Sequence, residues 1–254
     1  MDKIIDIHTH ILPGVDDGSK DISESIDIIN YLNKSGISDI VLTSHYIKNT
    51  KYCYNELTRK NILDTLRKKL NNDSINLYLG NEVYLNEEVV KQLKEKEIST
   101  INNTKYMLVE LPLTGYLYNF QDILCSLNDN GIIPIIAHPE RYEFIQKDNS
   151  RVKELLEFNC LLQCNIDSII GKYGKKAKKA FKWLLKNNLV SFVATDTHYV
   201  SDNKKLDKAY KKLKKIVGKD KFTKLTYDNP LSILSNKDIE GNLEYLIKEE
   251  NKKK

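Results

Sequence analysis

Short apolar runs alternate along the chain with longer segments in which apolar residues recur at helical spacing. The runs are rich in β-branched and aliphatic residues, which is typical of strands buried on both faces of a parallel sheet. The predicted strands cover residues 3–7, 39–43, 75–80, 106–111, 132–137, 160–165 and 190–194. The alternation of strands and helical segments predicts parallel βα units.

Helices are predicted in the segments between these strands. Before Gly36, the first segment repeats aliphatic residues every three or four positions, at Ile22, Ile26, Ile29 and Leu32. The other helices are predicted near residues 55–70, 86–96, 119–130, 150–158, 174–188 and 203–215. A chain of 254 residues fits a single barrel domain. We therefore expect one α/β domain over residues 1–254, with disorder in the last few lysine-rich residues.

All five histidines follow predicted strands in short motifs made of metal-ligand residue types. They are His8 and His10 in DIHTH, His45 in TSHY, His138 in AHPER and His198 in TDTH. Three acids occupy equivalent positions, namely Glu82, Glu110 and Asp196. Because the carboxyl ends of the strands of a parallel barrel meet on one face, we expect these side chains to cluster there.

These eight candidate ligands are more than one tetrahedral zinc ion uses. Two or three ions with bridging carboxylates fit the number better, and the mixture of imidazole nitrogen and carboxylate oxygen suits Mn, Fe or Zn. Taken singly, each motif has a plainer interpretation, since an isolated strand-end glutamate is usually a surface or capping residue. The combination therefore predicts a multinuclear metal site.

Three further residues are candidates for the same site. Asp16 and Asp17 lie in the loop ILPGVDDGSK, where turn chemistry alone accounts for such a cluster. We nevertheless expect at least one of the two to bind metal. Arg141 follows His138 by three residues, and an arginine there can hold a phosphate bidentately. The alternative for Arg141 is a structural salt bridge in a loop.

Charge and cysteine content limit the other possibilities. The net charge of +5 is concentrated in two lysine-rich segments, which we interpret as solvated surface and not as a nucleic-acid patch. No apolar run approaches the roughly 20 residues of a membrane span. The four cysteines are dispersed, which favours reduced thiols and a cytoplasmic protein. Cys53 and Arg59 match the Cys-x5-Arg spacing of thiolate phosphatases, but the segment lacks the glycine that a phosphate-binding loop favours.

The strings DIHTH…DDGS, TSHY, GNEV, VELP, AHPERY and TDTH resemble the polymerase-and-histidinol-phosphatase (PHP) superfamily. They are most similar to the bacterial metal-dependent protein-tyrosine phosphatases of capsule and exopolysaccharide operons. The resemblance runs in order from residue 2 to about residue 200, and NPLSIL near the C-terminus also fits. It implies a distorted (β/α)7 TIM-like barrel with the metal site at the C-terminal face of the strands.

The resemblance also implies how three ions are held. One ion would bind His8, His10 and Asp196. Glu82 would bridge this ion to a second, which Glu110 and His138 also hold. A third ion would bind His45, His198 and one of Asp16 or Asp17, for which we favour Asp17. Two departures from the family pattern stand out. Tyr46 replaces a histidine that relatives often carry after His45, and Lys204 and Lys205 replace an arginine.

The activity that the resemblance implies is hydrolysis of phosphotyrosine, with Mn²⁺ as the expected metal. The partner would be the phosphotyrosine tail of a bacterial polysaccharide-assembly tyrosine autokinase. Hydroxide formed on the metals would attack phosphorus directly, without a phosphoenzyme. Arg141 would hold the non-bridging oxygens, and Asp16 or Asp17 would protonate the leaving group if it is not a ligand.

Other activities stay open at this stage because a fold does not determine function. A small-molecule phosphatase of the histidinol-phosphate type is the main rival. A DNA exonuclease fits the modest charge less well, and an amidohydrolase usually has a lysine near its metals. A non-catalytic metal-binding adaptor is a further alternative. We expect neither nucleic-acid binding nor membrane insertion.

Overall fold

The structure, a computed structural model, describes residues 3–239 of the chain. The expected disorder of the lysine-rich C-terminus concerns residues outside this range. Over residues 3–239, no helix is both long enough and apolar enough to cross a bilayer.

Strands and helices alternate along the described chain. The strands are β1 Ile4–Thr9, β2 Ile37–Leu42, β3 His45–Tyr46, β4 Asn76–Leu79, β5 Glu82–Tyr84, β6 Tyr106–Glu110, β7 Ile133–Ala137, β8 Leu161–Asn165 and β9 Phe192–Ala194. The α-helices are α1 Ile22–Lys34, α2 Glu56–Lys69, α3 Val89–Lys94, α4 Phe120–Asp129, α5 Glu143–Lys147, α6 Lys153–Leu156, α7 Gly174–Lys186, α8 Leu206–Val217, α9 Lys219–Thr223 and α10 Asn229–Leu234.

The strands form two sheets in which every pairing is parallel. The first has the order β1-β2-β4, and the second has the order β3-β5-β6-β7-β8-β9. An isolated parallel bridge joins Thr9, at the end of β1, to Thr197, just beyond β9. The expected α/β architecture with parallel strands is therefore confirmed.

Each of the seven predicted strands is present, with ends within two residues of the prediction. β3 and β5 were not predicted, because strands of two and three residues carry no periodic pattern. The short helices α5, α9 and α10 were not predicted either. The missed strands matter most, because β3 begins at His45 and β5 begins at Glu82.

Helix α1 shows how local sequence sets the boundaries of an element. Asp21 accepts a hydrogen bond from the Glu24 N–H at 3.0 Å, which satisfies a backbone donor that the first turn leaves free. The helix buries Ile28 and Ile29 against the sheet side of the core. Gly36 follows with φ at +93°, a conformation that glycine adopts without strain.

The apolar interior is divided into two clusters. The larger lies between strands and helices and includes Ile28, Leu42 and Phe181. The smaller gathers side chains from six strands, among them Ile5 and Phe192, together with residues of α10. Burial on both sides explains why the strands read as continuous apolar runs.

Candidate metal centre

The candidate ligands lie at the ends of strands from both sheets. Their positions are His8 in β1, His10 directly after it, His45 at the start of β3, Glu82 at the start of β5, Glu110 at the end of β6, His138 after β7, and Asp196 and His198 after β9. Backbone hydrogen bonds from His10 N to Thr197 O (2.8 Å) and from Asp196 N to His8 O (2.9 Å) tie the first and last strand ends together.

Glu82 lies at the middle of this cluster and is buried. Its Oε2 atom is 3.3 Å from Nε2 of both His8 and His10, and 3.0 Å from Nδ1 of His45. Its Oε1 atom is 2.9 Å from Nε2 of His138. One carboxylate therefore faces four imidazoles, which is the arrangement that a bridging ligand requires.

Four overlapping groups have ligand atoms that all lie within 4.8 Å of one another. They are His8, His138 and Asp196; His10, Asp17, His45 and His198; His8, His10 and Glu82; and His45, Glu82 and Glu110. The first is called here the inner group and the second the outer group. His10 belongs to the outer group and also to the third group with His8, and its Nε2 lies 3.4 Å from Asp196 Oδ1.

The inner and outer groups differ in their access to solvent. Every member of the inner group is buried. In the outer group, the side chains of Asp17, His198 and His45 are 48%, 21% and 14% exposed. The cluster is therefore open to solvent on the side of the outer group.

Asp16 and Asp17 are adjacent, yet their carboxylates have different surroundings. Asp16 is turned inward, where Oδ2 accepts from His10 Nδ1 (2.8 Å) and from the His45 N–H (3.0 Å). Asp17 is turned outward, with Oδ1 at 3.6 Å from His45 Nε2 and 3.5 Å from His198 Nε2. Asp16 thus orients a candidate ligand, and Asp17 belongs to the outer group itself.

Gly18 is required by the close packing of this loop. A Cβ added at Gly18 would lie 1.7 Å from the carbonyl oxygen of His10. The same oxygen accepts a hydrogen bond from Ser19 N at 3.0 Å. The DDGS sequence therefore lets the loop fold back onto the end of β1 and bring both aspartates to the cluster.

Two candidate ligands have left-handed backbone conformations. His138 has φ at +34° and Asp196 has φ at +56°. Such conformations are strained for residues with a side chain and persist where surrounding structure imposes them. Both residues leave the ends of strands, so the backbone turn directs their side chains into the cluster.

Burial and neighbouring charges shift the pKa values of several side chains in the cluster. Burial lowers the pKa of His8, but the Glu82 and Asp196 carboxylates outweigh burial and raise that pKa to about 9. Burial and the Glu82 charge raise the pKa of Glu110 to about 8. A hydrogen bond with His198 lowers the pKa of Asp17 to about 2. The cluster therefore holds protons that a divalent cation would have to displace.

Arg141 lies beside the inner group and is 23% exposed at its side chain. Its Nη1 donates to Asp196 Oδ2 at 2.9 Å, and its guanidinium carbon lies 4.5 Å from the centre of the Tyr173 ring. A short 3-10 turn, Pro139–Arg141, carries the side chain there from His138. Arg141 lies close to the candidate ligands. It also forms the structural salt bridge that was the alternative interpretation of this residue.

The Cys-x5-Arg segment has no phosphate-binding geometry. Arg59 is buried and donates to Gly80 O (2.6 Å) and Ser99 Oγ (3.0 Å), so its guanidinium supports a turn. The residues that depart from the family pattern lie in other environments. The Tyr46 hydroxyl donates a hydrogen bond to Glu97. The side chains of Lys204 and Lys205 are exposed on the surface.

Sequence reasoning missed the two amides Gln163 and Asn165 of β8, a strand that supplies none of the candidate ligands. Gln163 contacts His8 and Asn165 contacts Asp196. The available signal was the pair of buried polar residues at alternate positions in the apolar run CLLQCN.

Parallel strands that converge on a cluster of imidazoles and carboxylates define an α/β protein with a candidate multinuclear metal centre. Residues 4–235 match the family model described as capsular polysaccharide synthesis, CpsB/CapC. The chain therefore belongs to the CpsB/CapC family.

Relatives of known name agree with this assignment. The tyrosine-protein phosphatase CpsB of Streptococcus agalactiae serotype V is 33% identical over 242 residues, which cover 92% of this chain and 99% of the relative. The tyrosine-protein phosphatase YwqE of Bacillus subtilis is 34% identical over 199 residues, or 78% of each chain.

A solved structure shows the same fold. Crystal structures of YwqE from Bacillus subtilis and CpsB from Streptococcus pneumoniae, described as metal-dependent tyrosine phosphatases, include a chain that superposes with a TM-score of 0.85. The sequence identity is 31%, and the match covers 93% of this chain and 96% of that chain.

Proposed function

We propose that this chain is a metal-dependent protein-tyrosine phosphatase. The observation that carries the proposal is the position of Glu82 among four imidazoles, with Arg141 beside the inner group. The names of its relatives at about one-third identity support the same activity. The reaction is the hydrolysis of a phosphoric monoester.

The donor set fits divalent cations. Glu82 Oε2 and His45 Nδ1 lie 3.0 Å apart, but neither buried atom makes a hydrogen bond, so both are available to an ion. Two or three ions, with Mn²⁺ favoured and Fe or Zn also compatible, would be held by the following residues. They are His8, His10, Asp17, His45, Glu82, Glu110, His138, Asp196 and His198. When bound, the ions supply Lewis acidity and lower the pKa of water.

The protein side chains bind and orient the phosphate group. Arg141 presents a planar guanidinium beside Asp196 and would hold the non-bridging phosphate oxygens, where its charge offsets that of the transition state. Asp17 serves as a ligand in this scheme, because its carboxylate lies among the imidazoles of the outer group. Asp16 orients His10 and is too enclosed to reach a leaving group.

Aromatic rings line the accessible side of the centre and suit an aryl phosphate. The Tyr52 ring lies 6.1 Å from that of His45, and the Tyr199 ring lies 6.2 Å from that of His198. The two imidazoles are themselves 6.3 Å apart. The phenyl ring of a phosphotyrosine whose phosphate reaches the cluster would contact these tyrosines.

The wider setting is also part of the proposal. The two sheets would close into one distorted (β/α)7 barrel of the PHP type, supported by the bridge between the ends of β1 and β9. The chain would act as a single domain in the cytoplasm, in keeping with its four free cysteines. Its partner would be the phosphotyrosine tail of a tyrosine autokinase in polysaccharide assembly, as the family's role in capsule synthesis suggests.

The deciding experiment is Mn²⁺-dependent phosphate release from a phosphotyrosine peptide, a phosphoserine peptide and histidinol phosphate. Wild type is compared with His138→Ala, which removes a candidate ligand, and with Cys53→Ser, which removes the thiol of the decoy motif. We expect a preference for phosphotyrosine that His138→Ala abolishes and Cys53→Ser leaves intact. Faster turnover of histidinol phosphate would instead identify a small-molecule phosphatase. Bound metal without turnover of any substrate would identify an adaptor.

A further inference from the structure

Strand β8 ends in two buried amide side chains that face the inner group. Gln163 Oε1 lies 2.8 Å from His8 Nδ1, and Gln163 Nε2 lies 3.0 Å from Asn165 Oδ1. Asn165 Nδ2 in turn lies 2.6 Å from Asp196 Oδ2. A continuous chain of hydrogen bonds therefore runs from one candidate ligand, through two amides, to another.

The direction of donation along this chain follows from its last member. An ionised carboxylate only accepts hydrogen bonds, so Asn165 must donate its N–H to Asp196. The Asn165 carbonyl oxygen then accepts from the Gln163 amide nitrogen. Because the nitrogen of Gln163 is used in this way, its oxygen must accept from His8 Nδ1–H.

The consequence for His8 is a single tautomer of the neutral imidazole, which is the form that binds a metal ion. With the proton held on Nδ1, the lone pair is on Nε2, the atom that faces Glu82 Oε2 at 3.3 Å and His10 Nε2 at 3.1 Å. The two carboxylate oxygens of Asp196 have different partners. Oδ2 is occupied by Asn165 and Arg141, while Oδ1 faces the imidazoles of His8 and His10 at 3.5 and 3.4 Å.

The chain is anchored to the loop after β7 by a buried carboxylate. Glu140 Oε1 accepts from the Asn165 N–H at 2.9 Å and from Ser168 Oγ at 2.7 Å. Glu140 lies between His138 and Arg141 in sequence, so the end of β8 and the HPER loop are held together. Asn165 is thereby positioned by its backbone as well as by its side chain.

We propose that Gln163 and Asn165 are positioning residues of the metal centre, forming an amide relay that sets the tautomer of His8 and turns Asp196 Oδ1 toward the ions. The inference rests on the proposed metal centre and goes beyond it by giving β8 a role. Ligand-orienting partners of this kind contribute typically 10–100-fold to metal affinity.

The test measures Mn²⁺ affinity directly by calorimetry, so that it does not depend on activity. Gln163→Met keeps the approximate volume but removes both polar atoms, and we expect affinity to fall about 10–100-fold. Gln163→Glu restores the acceptor for His8 Nδ1–H and should recover part of the loss. The matched control is Gln92→Met, which changes a glutamine that is equally buried and lies outside the cluster, and it should bind as wild type does.

A second readout reports on the tautomer itself. Long-range ¹H–¹⁵N spectra of the Zn²⁺-loaded wild type should show His8 protonated at Nδ1 and bound to metal through Nε2. This measurement stands even if Gln163→Met fails to fold. Coordination through Nδ1, or wild-type affinity in Gln163→Met, would overturn the relay. Absence of metal binding by the wild type would instead overturn the proposed metal centre.

Discussion

The inner and outer groups of the candidate metal centre are built from the same residue types but are held in different ways. His8 and Asp196 of the inner group are buried, and both are fixed by side chains of a third strand. In the outer group, Asp17 lies on a loop and is about half exposed. The inner group is therefore the more constrained and buried part of the candidate centre, and the outer group is the part open to solvent.

Glu82 connects the two groups, since it contacts His8 and His138 on one side and His45 on the other. A short strand, β5, begins at this residue and places it by parallel pairing with β3 and β6. The Glu82 carboxylate therefore interacts with charged groups on both sides. A substitution in either group is expected to change the electrostatic environment of this carboxylate.

The largest expected difference between the groups concerns their carboxylates. Asp196→Asn removes a buried charge that His8, Asn165 and Arg141 all contact, and we expect kcat/KM to fall at least about 10³-fold, or about 4 kcal/mol. Asp17→Asn alters a half-exposed candidate ligand and should lower kcat/KM about 10–30-fold. Metal content and phosphotyrosine hydrolysis measured side by side would check this. Equal losses in the two variants would contradict the distinction.

A smaller effect is expected from pH, through protons that metal binding must displace. His8, with a pKa of about 9, and Glu110, with a pKa of about 8, are both protonated at pH 7 in the metal-free protein. Metal ligation needs their deprotonated forms, so apparent affinity should decrease as pH falls below 9, by about tenfold per pH unit for each proton released.

Calorimetry in two buffers of different ionisation enthalpy measures the number of protons released. The number of protons released can also be compared between the Asp196→Asn and Asp17→Asn variants. Asp196→Asn weakens the attraction that raises the His8 pKa, so fewer protons should be released, whereas Asp17→Asn should change the number less. Metal binding without proton release at pH 7 would show that His8 and Glu110 are already deprotonated.

The smallest effect is expected at the aromatic rim of the outer group. Tyr52→Leu removes a ring beside His45, and an aromatic contact is worth about 0.5–1.5 kcal/mol. We expect kcat/KM for an aryl phosphate to fall about 3–10-fold, with little change for an alkyl phosphate. Tyr118→Leu, at a tyrosine that is 88% exposed, is the control. A similar loss on both substrates would mean that Tyr52 supports His45 and does not select the substrate.

Much of the fold was predictable because its strands are long enough to show a pattern. The seven apolar runs were recognised, and the ligand types at their ends indicated a metal site before any geometry was known. The two shortest strands were not recognised, since two or three residues have no period. β3 and β5 place His45 and Glu82 in the site because the two strands pair in parallel, with His45 opposite Glu82. This pairing is visible only in the tertiary structure.

The roles of Asp16 and Asp17 illustrate a second limit. Neighbouring aspartates in a turn are equivalent as a sequence pattern, and both were candidates. Their carboxylates differ because the loop folds back at Gly18 and turns Asp16 beneath His10. The different orientations of the two carboxylates depend on contacts with His10, after β1, and His45, at the start of β3. A local sequence pattern carries no information about such contacts.

The sequence by itself determined the parallel α/β architecture, the strand ends that carry imidazoles and carboxylates, and the family resemblance. Periodicity and strand-end position are local properties, so they can be read along the chain. Only the tertiary structure decided which ligands share a group, which side is open, and that β8 supplies the amide relay. Gln163 and His8 are 155 residues apart in sequence, and their hydrogen bond exists only because the fold brings the two strands together.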